Sequence, residues 1–264
     1  MMETKLTYSL PGDHPWQNQI IHLDSVESTN TLAKEMAKNG APHGTVLISD
    51  SQTAGRGRLG RSFHSPGGMG IYMSVILRYA CKPEELMHLT CACADSLCQA
   101  VTEVTGIRPG IKWINDLVVG QKKLAGILTE LVVTGQETCA IVGIGLNVCQ
   151  KTADFDPQIQ SIATSLALIS GQQFSRPAVF DAIVQNIYRM DQSLFTQKDR
   201  IMTQYRRNCI TLGKQISVVR GDEIRHGQAL AITDEGALLV RYDDGNTQEV
   251  NSGEVSVRGM YGYV

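Results

Sequence analysis

The chain is predicted to be α+β. Three observations carry this: β-type stretches crowd the first half, helix-period stretches lie beside and after them, and from Gln215 the pattern turns to short strands and turns. That order does not suggest a regular βαβ alternation. Residues 28–39 (STNTLAKEMAKN) open with hydroxyl and amide side chains suited to capping, carry Leu32 and Met36 on one face, and stop before Gly40. They make a short helix. Residues 44–50 and 70–78 read as strands, with the glycine-rich segment 55–70 between them. Pro83 begins a helix in which Leu86, Leu89, Cys93, Leu97, Val101 and Val104 keep helical spacing and Gly106 lies past the end. Further β-rich stretches cover 110–119, 123–133 and 138–148. Residues 150–175 are loop-rich, and 177–197 has helical period with Ser175 at its N-cap. In the terminal run ALLVRYDDGNTQEV, DDGN reads as a hairpin turn. Two domains are expected, 1–210 and a small all-β module at 211–264, joined near 205–213.

With 264 residues, 42% apolar and 19% charged, the chain supports a sizeable core in one large or two modest domains. Lys and Arg number 24 against 26 Asp and Glu, so the bulk charge makes no case for a dedicated nucleic-acid binder. The 7 cysteines include no CxxC pair, and the start of the chain lacks a basic-then-apolar leader pattern. A reducing compartment, the cytoplasm, is expected. Cys91, Cys93 and Cys98 sit among Ala and Leu in a helical stretch and read as small apolar residues rather than metal ligands. No apolar run approaches the ~18 residues of a membrane span. Glycine is in excess, 25 residues in 264, and it is clustered.

Residues 55–60 (GRGRLG) match G-x-G-x-x-G, yet a strand rather than a helix follows, and no acidic residue stands at the offset expected of a ribose contact. No Asp or Glu occurs between Asp50 and Glu84, whereas Arg56, Arg58, Arg61, Arg78 and Lys82 fall in that window. The window reads as a local anion site: glycine leaves the backbone free to fold over a ligand, and guanidinium forks suit phosphate and carboxylate. Taken alone, the segment also fits a solvated basic loop. Two later segments shift the weight. KWINDLVVGQKKLAGILTE places Lys112, Asn115 and Asp116 at the end of one strand and Lys123 at the start of the next, where a hairpin would gather them. In IVGIGLNV, Gly143 and Gly145 leave one face bare, which favours a flat ligand against the backbone. No Walker A sequence, metalloprotease His pair or plausible Ser-His-Asp order is present. What remains points to phosphate-ester chemistry on a carboxylate. Two anions ~4 Å apart repel by several kcal/mol at an effective dielectric of ~20, so cations must bridge them.

The ordered series ESTN, QTAGRGRLGRSFHSPGGMGIYMSVIL, KWIND, KKLAGIL and GIGLNV resembles the bacterial biotin protein ligases. The likeness runs from about residue 21 into the terminal module, where ITDEGALLV and GEVSVRG also look familiar. It implies a class II synthetase-like (biotin–lipoate ligase) catalytic fold, a mixed β-sheet with helices packed on one side, followed by a small Src-homology-3-like β-barrel. It implies biotin and ATP as substrates with Mg²⁺, formation of biotinyl-5′-AMP, and transfer of biotin to a lysine of a biotin carboxyl carrier protein domain. By motif, Ser28, Thr29, Asn30 and Gln52 would read the ureido end of biotin. Arg56, Gly57 and Arg58 would close over biotin and adenylate, with Arg61 supporting them. Lys123 would contact the biotin carboxylate and the α-phosphate, and Lys123, Arg56 and Arg58 would form the catalytic set. Gly126, Gly143 and Gly145 would line the floor, with Asn147 near adenine. Lys112, Trp113, Asn115 and Asp116 would lie at the nucleotide, Asp116 being the candidate Mg²⁺ ligand.

Two departures stand out: Ile114 replaces the family's usual proline, and Phe63 a common tryptophan. Only about 20 residues precede the catalytic pattern, so the expectation is a ligase without operator binding. The 55–61 loop is expected to order over the adenylate. Residues 216–264 are locally acidic, which reads most simply as a solvated barrel surface. A lipoate-type acyl ligase and a non-catalytic biotin sensor are the competing readings; GRGR with KWxND and KLAG disfavours the first, retention of Lys123 and Arg58 the second. Monomer and homodimer stay open.

Overall fold

The computed structural model describes residues 8, 10–252 and 255–259, so Gly253 and Glu254 of the terminal GEVSVRG string lie outside the described residues. A large sheet takes up the first half of the chain. Its strands are β1 (Ile20–Val26), β2 (Thr45–Gln52), β3 (Gly70–Tyr79), β4 (Gly110–Lys112), β5 (Asp116–Val119), β6 (Lys122–Thr134) and β7 (Glu137–Asn147). They run in the order β1-β2-β3-β7-β6-β5-β4. The β1–β2 pair is parallel and the other pairs are antiparallel, which makes the sheet mixed. The expected stretch 110–119 is a tight hairpin of two short strands, because residues 113–115 turn the chain back on itself.

Helix α1 (Thr29–Lys38) links the parallel strands. It is capped by the Ser28 hydroxyl, which accepts from the Thr31 amide, and its Ala33 and Ala37 bury against Leu47, Ile76 and Ile141. The intervening residues Val46, Ile48, Val75, Leu77 and Val142 point the other way, into the main core with α2 (Leu89–Thr105) and α4 (Arg176–Ser193). The long helices α2 and α4 therefore share one face of the sheet, and α1 lies on the other. Pro83–Leu86 forms a separate 3₁₀ turn before α2, and Gly106 ends α2 with a φ of 71°, a left-handed conformation that suits glycine. Two helices were not anticipated from the sequence, α3 (Leu166–Ser170) and α5 (Lys198–Asn208).

The second sheet is wholly antiparallel: β8 (Gln215–Arg220), β9 (Glu223–Ile232), β10 (Leu238–Tyr242), β11 (Thr247–Val250) and β12 (Ser256–Gly259), in the order β11-β10-β9-β8-β12. Residues 243–246 form the β10–β11 turn as expected, with Gly245 left-handed. The five strands suit a small β-barrel. Their apolar residues, Ile216, Val218, Leu238 and Val240 among them, join the main core rather than closing a separate one. No described helix is long and apolar enough to cross a membrane.

One half-buried polar link joins the segment before β2 to α4. His43 Nδ1 accepts from the Arg78 amide at 3.0 Å, which leaves Nε2–H to donate to Asp191 Oδ2 at 3.1 Å, and the Tyr79 hydroxyl donates to Asp191 Oδ1 at 2.7 Å. The hydrogen bond to Asp191 holds the His43 pKa above its ordinary value, against the opposing effect of burial. A raised folded-state pKa contributes stability that is full below the unfolded value and is lost as pH rises through the folded one. Thermal melts from about pH 6 to about pH 9 should therefore show the wild type losing its advantage over His43→Gln as pH increases.

Candidate active site

The register of the large sheet lines up a row across five strands: Lys112, Asp116, Gly126, Gly145 and Tyr72. The next row on that face holds Leu128, Gly143, Ser74 and Leu47. Directly paired residues of antiparallel strands share a face, so three glycines meet on the α1 side of the sheet. The bare backbone there is not vacant. A Cβ at Gly143 would lie 2.1 Å from Asn30 Oδ1, and one at Gly145 would lie 2.5 Å from the Phe63 ring. These glycines line the cleft, and the bare backbone expected to take a flat ligand also lets the chain's own Asn30 and Phe63 approach. Gly126 does the same for Lys123, since a Cβ there would lie 3.0 Å from the Lys123 Nζ.

Above this floor opens a cleft of about 430 Å³. Every residue that the family resemblance assigns to the site lines it except Asn147. At one end the groups are neutral and polar. The Thr29 amide and hydroxyl donate to Gln52 Oε1 at 2.9 and 3.2 Å, and Gln52 Nε2 donates to Ser65 Oγ at 2.9 Å. Ser74 Oγ lies 2.6 Å from Asn30 Oδ1 and 2.8 Å from Thr29 Oγ1. Ser28 borders the cleft, but its oxygen caps α1.

At the other end the charge is positive. Lys112, Lys123, Arg61 and Arg258 surround one carboxylate, Asp116, and the Lys123 Nζ–Asp116 Oδ1 ion pair measures 2.7 Å. Burial pushes the Lys112 pKa down to about 8; Asp116 resists, while Lys123, Arg61 and Arg258 add to the fall. Four cations against one carboxylate suit a polyanion.

Arg58 holds the glycine-arginine loop to two other segments. Its Nη1 donates to Asn115 Oδ1 at 3.2 Å, and Nη2 donates to Val255 O at 3.0 Å and to Ser252 O. Within the loop, the Gly57 amide donates to Arg61 O at 2.7 Å and the Phe63 amide to Gly55 O at 2.8 Å. Asn115 also clasps β6, Nδ2 donating to Ile127 O at 2.7 Å and its own carbonyl accepting from the Ile127 amide at 2.9 Å. Trp113, expected at the nucleotide, lines the cleft but sends its indole N–H to Gly236 O at 3.0 Å, on the β9–β10 turn. Its own amide donates to Thr211 Oγ1 at 2.9 Å, and the Tyr205 hydroxyl to Ile114 O at 3.1 Å. The Trp113–Ile114 peptide is cis.

Asn147 is the exception. It is buried, with Nδ2 donating to Thr164 O at 2.9 Å and Oδ1 accepting from Gln150 Nε2 at 3.1 Å, so it braces the segment after β7 and does not line the cleft. The acid-free basic window also divides. Arg78 spends its guanidinium on Ala37 O, Ala41 O and Glu137, away from the cleft, and Lys82 lies beyond it. Sequence reasoning missed Val255, Val257 and Arg258 of the second sheet, which border the cleft. The GEVSVR string was visible, but nothing local said that β12 faces β4 and β5.

A glycine-floored cleft on a mixed sheet, polar at one end and cationic at the other, defines a ligase of the acyl-activating kind. Residues 22–147 match the Biotin/lipoate A/B protein ligase family, and residues 211–258 match the Biotin protein ligase C terminal domain. The chain belongs to the biotin protein ligases. It is 34% identical over 247 residues to the bifunctional ligase/repressor BirA of Bacillus subtilis, covering 93% of this chain and 76% of that one. It is 30% identical over 259 residues to the biotin–acetyl-CoA-carboxylase ligase of Mycobacterium tuberculosis, covering 96% and 94%. Among solved structures, the Aquifex aeolicus biotin protein ligase in complex with biotin and ATP superposes with a TM-score of 0.78 at 30% identity, over 91% of this chain and 99% of that one.

The depressed Lys112 pKa gives a direct test of the cationic end. Sulfate affinity should fall as pH rises through and past about 8, where Lys112 loses its charge, and titration calorimetry of Lys112→Met should show weaker binding with that step removed.

Proposed function

We propose that this ligase activates biotin with ATP and passes it to a lysine of a biotin carboxyl carrier protein domain, as in acetyl-CoA carboxylase. The observation that carries this reading is the cleft itself, with its neutral polar end and its cationic end over one glycine floor. Thr29, Asn30 and Gln52 suit the ureido group, which offers N–H donors and a carbonyl acceptor. Lys123, Lys112, Arg61 and Arg258 suit the triphosphate. In the first step a biotin carboxylate oxygen attacks the α-phosphorus and pyrophosphate leaves. The reacting anions must approach each other, and Lys123, at the border between the two ends, offsets their repulsion. In the second step the lysine nitrogen attacks the acyl carbon, AMP leaves, and the amine loses its proton.

Arg58 holds the loop from the side through Asn115 and Val255, and Arg56, which also lines the cleft, joins Arg61 and Arg258 among the arginines placed to meet ligand. Asp116 is a single carboxylate already paired to Lys123, so the residues fit a Mg²⁺ that arrives with the nucleotide better than a resident ion. The one three-residue cluster of metal-ligand types among the described residues, His22, Asp24 and Asp50, lies outside the cleft, and its Asp50 pairs with Arg176. Seven free cysteines support a reducing, cytoplasmic setting. The near balance of acid and base supports ligation without operator binding.

The decisive experiment is biotin-dependent exchange of pyrophosphate into ATP. Biotin should support exchange and lipoate should not; exchange that ignores biotin would end the reading. Lys123→Ala should lower the exchange rate by about 10²–10³, the scale seen when one transition-state donor is removed, while leaving the melting temperature near that of the wild type. Hydrogen exchange of residues 55–61 should slow when biotin and ATP are both present.

A further inference from the structure

Glu130 stands two residues beyond Leu128 on β6, on the α1 face of the sheet. Its carboxylate is shared: Oε1 accepts from Lys34 Nζ at 2.7 Å, and Oε2 accepts from Asn30 Nδ2 at 3.0 Å. The same Asn30 nitrogen also donates to Leu128 O at 3.1 Å. Both Nδ2 hydrogens therefore go to acceptors that cannot donate in return. Turning the amide over would set Asn30 Oδ1 against a carboxylate and a carbonyl, an unfavourable arrangement in a site where Asn30 is only 4% exposed. Burial works against ionisation of Glu130, but its bonds to Lys34 and Asn30 outweigh that and hold its carboxyl below the usual glutamate range.

The orientation set at Glu130 spreads to its neighbours. With Asn30 Oδ1 forced to accept, the Ser74 hydroxyl has an acceptor 2.6 Å away. At the far side, the Thr29 amide fixes Gln52 Oε1 as an acceptor, and this oxygen also takes the Thr29 hydroxyl hydrogen. The side-chain hydrogens of Asn30 and Thr29 are thus committed inside the protein. Lone pairs on Asn30 Oδ1 and Thr29 Oγ1 are what these two residues keep for a ligand, so this part of the wall selects for N–H donors. A two-donor group such as a cyclic urea meets that requirement.

We propose that Glu130 is a positioning residue, held by Lys34, that acts through Asn30 to make this wall an acceptor surface and so sets its selectivity for the ureido group. The inference rests on the reading of the cleft as a biotin site. It assigns a role to a residue that borders neither end of the cleft and whose place opposite Asn30 comes only from the fold.

The test is calorimetric titration of biotin into the full chain without ATP, together with steady-state kinetics. Glu130→Gln should weaken biotin binding by about tenfold, the effect of one misdirected buried hydrogen bond. KM for biotin should rise by a similar factor, while kcat at saturating biotin and KM for ATP hold. In that variant Lys34 draws the new amide oxygen towards itself and leaves an N–H facing Asn30. Removing the pull in a Glu130→Gln, Lys34→Gln double variant should restore part of the affinity. A purely structural loss would not be repaired by taking away a second partner. Equal binding by wild type and Glu130→Gln, or a double variant no tighter than the single one, would overturn this inference alone. A wild type that binds no biotin would overturn the functional reading and this inference with it. Melting temperatures of all the variants report folding separately.

Discussion

Close approach over three glycines governs the site. Gly126, Gly143 and Gly145 fall on adjacent strands and on one face of the sheet because β6 and β7 pair Gly126 with Gly145 and Leu128 with Gly143. Only there can the start of α1, the arginine loop and Lys123 come down onto the backbone. A Cβ at Gly143 would be 2.1 Å from Asn30 Oδ1, far inside contact distance, so even alanine would displace the amide that the polar end depends on. Asn30, Phe63 and Lys123 belong to different elements, and the shared glycine floor is what puts them in one cleft.

Charge is then arranged along that floor. Behind the polar end the ionised pair Glu130 and Lys34 balance each other, so what Thr29, Asn30 and Gln52 present to the cleft is neutral. At the cationic end burial, with Lys123, Arg61 and Arg258 adding to it, brings the Lys112 pKa down to about 8. A ligand with a neutral polar head and an anionic tail, lying beside a polyphosphate, matches this gradient. Part of the cationic end comes from the small sheet: Arg258 is on β12, the Arg58 guanidinium bonds to Val255 O, and Trp113 is braced by Gly236 O. The small sheet is therefore a wall and a support for the site as well as a solvated surface.

Much of this was legible in the chain because it depends on near neighbours. The Ser28 and Ser175 caps, the left-handed Gly106, the period of α2 and α4 and the DDGN turn are all short-range chemistry. The motif residues, Asn147 excepted, all line one cleft. What was not legible depended on which strands lie side by side. Asn147 alternates with Gly145 and so seemed to belong to the same floor, yet it sits one pair beyond it, where Thr164 and Gln150 return to meet it. Arg78 looked like part of an anion site and instead ties the end of α1 to β3.

The sequence by itself determined the α+β class, the position of most elements and the residue types that acyl activation needs, since capping, periodicity and loop chemistry act over a few residues. Only the tertiary structure decided which of those residues meet. Sheet register brought Lys112, Asp116 and Gly126 into one row, packing of the second sheet brought Arg258 to the cleft, and the approach of α1 to β6 set Glu130 against Asn30. Each is a contact between segments far apart in the chain, and its energy exists only once the core has fixed their distance.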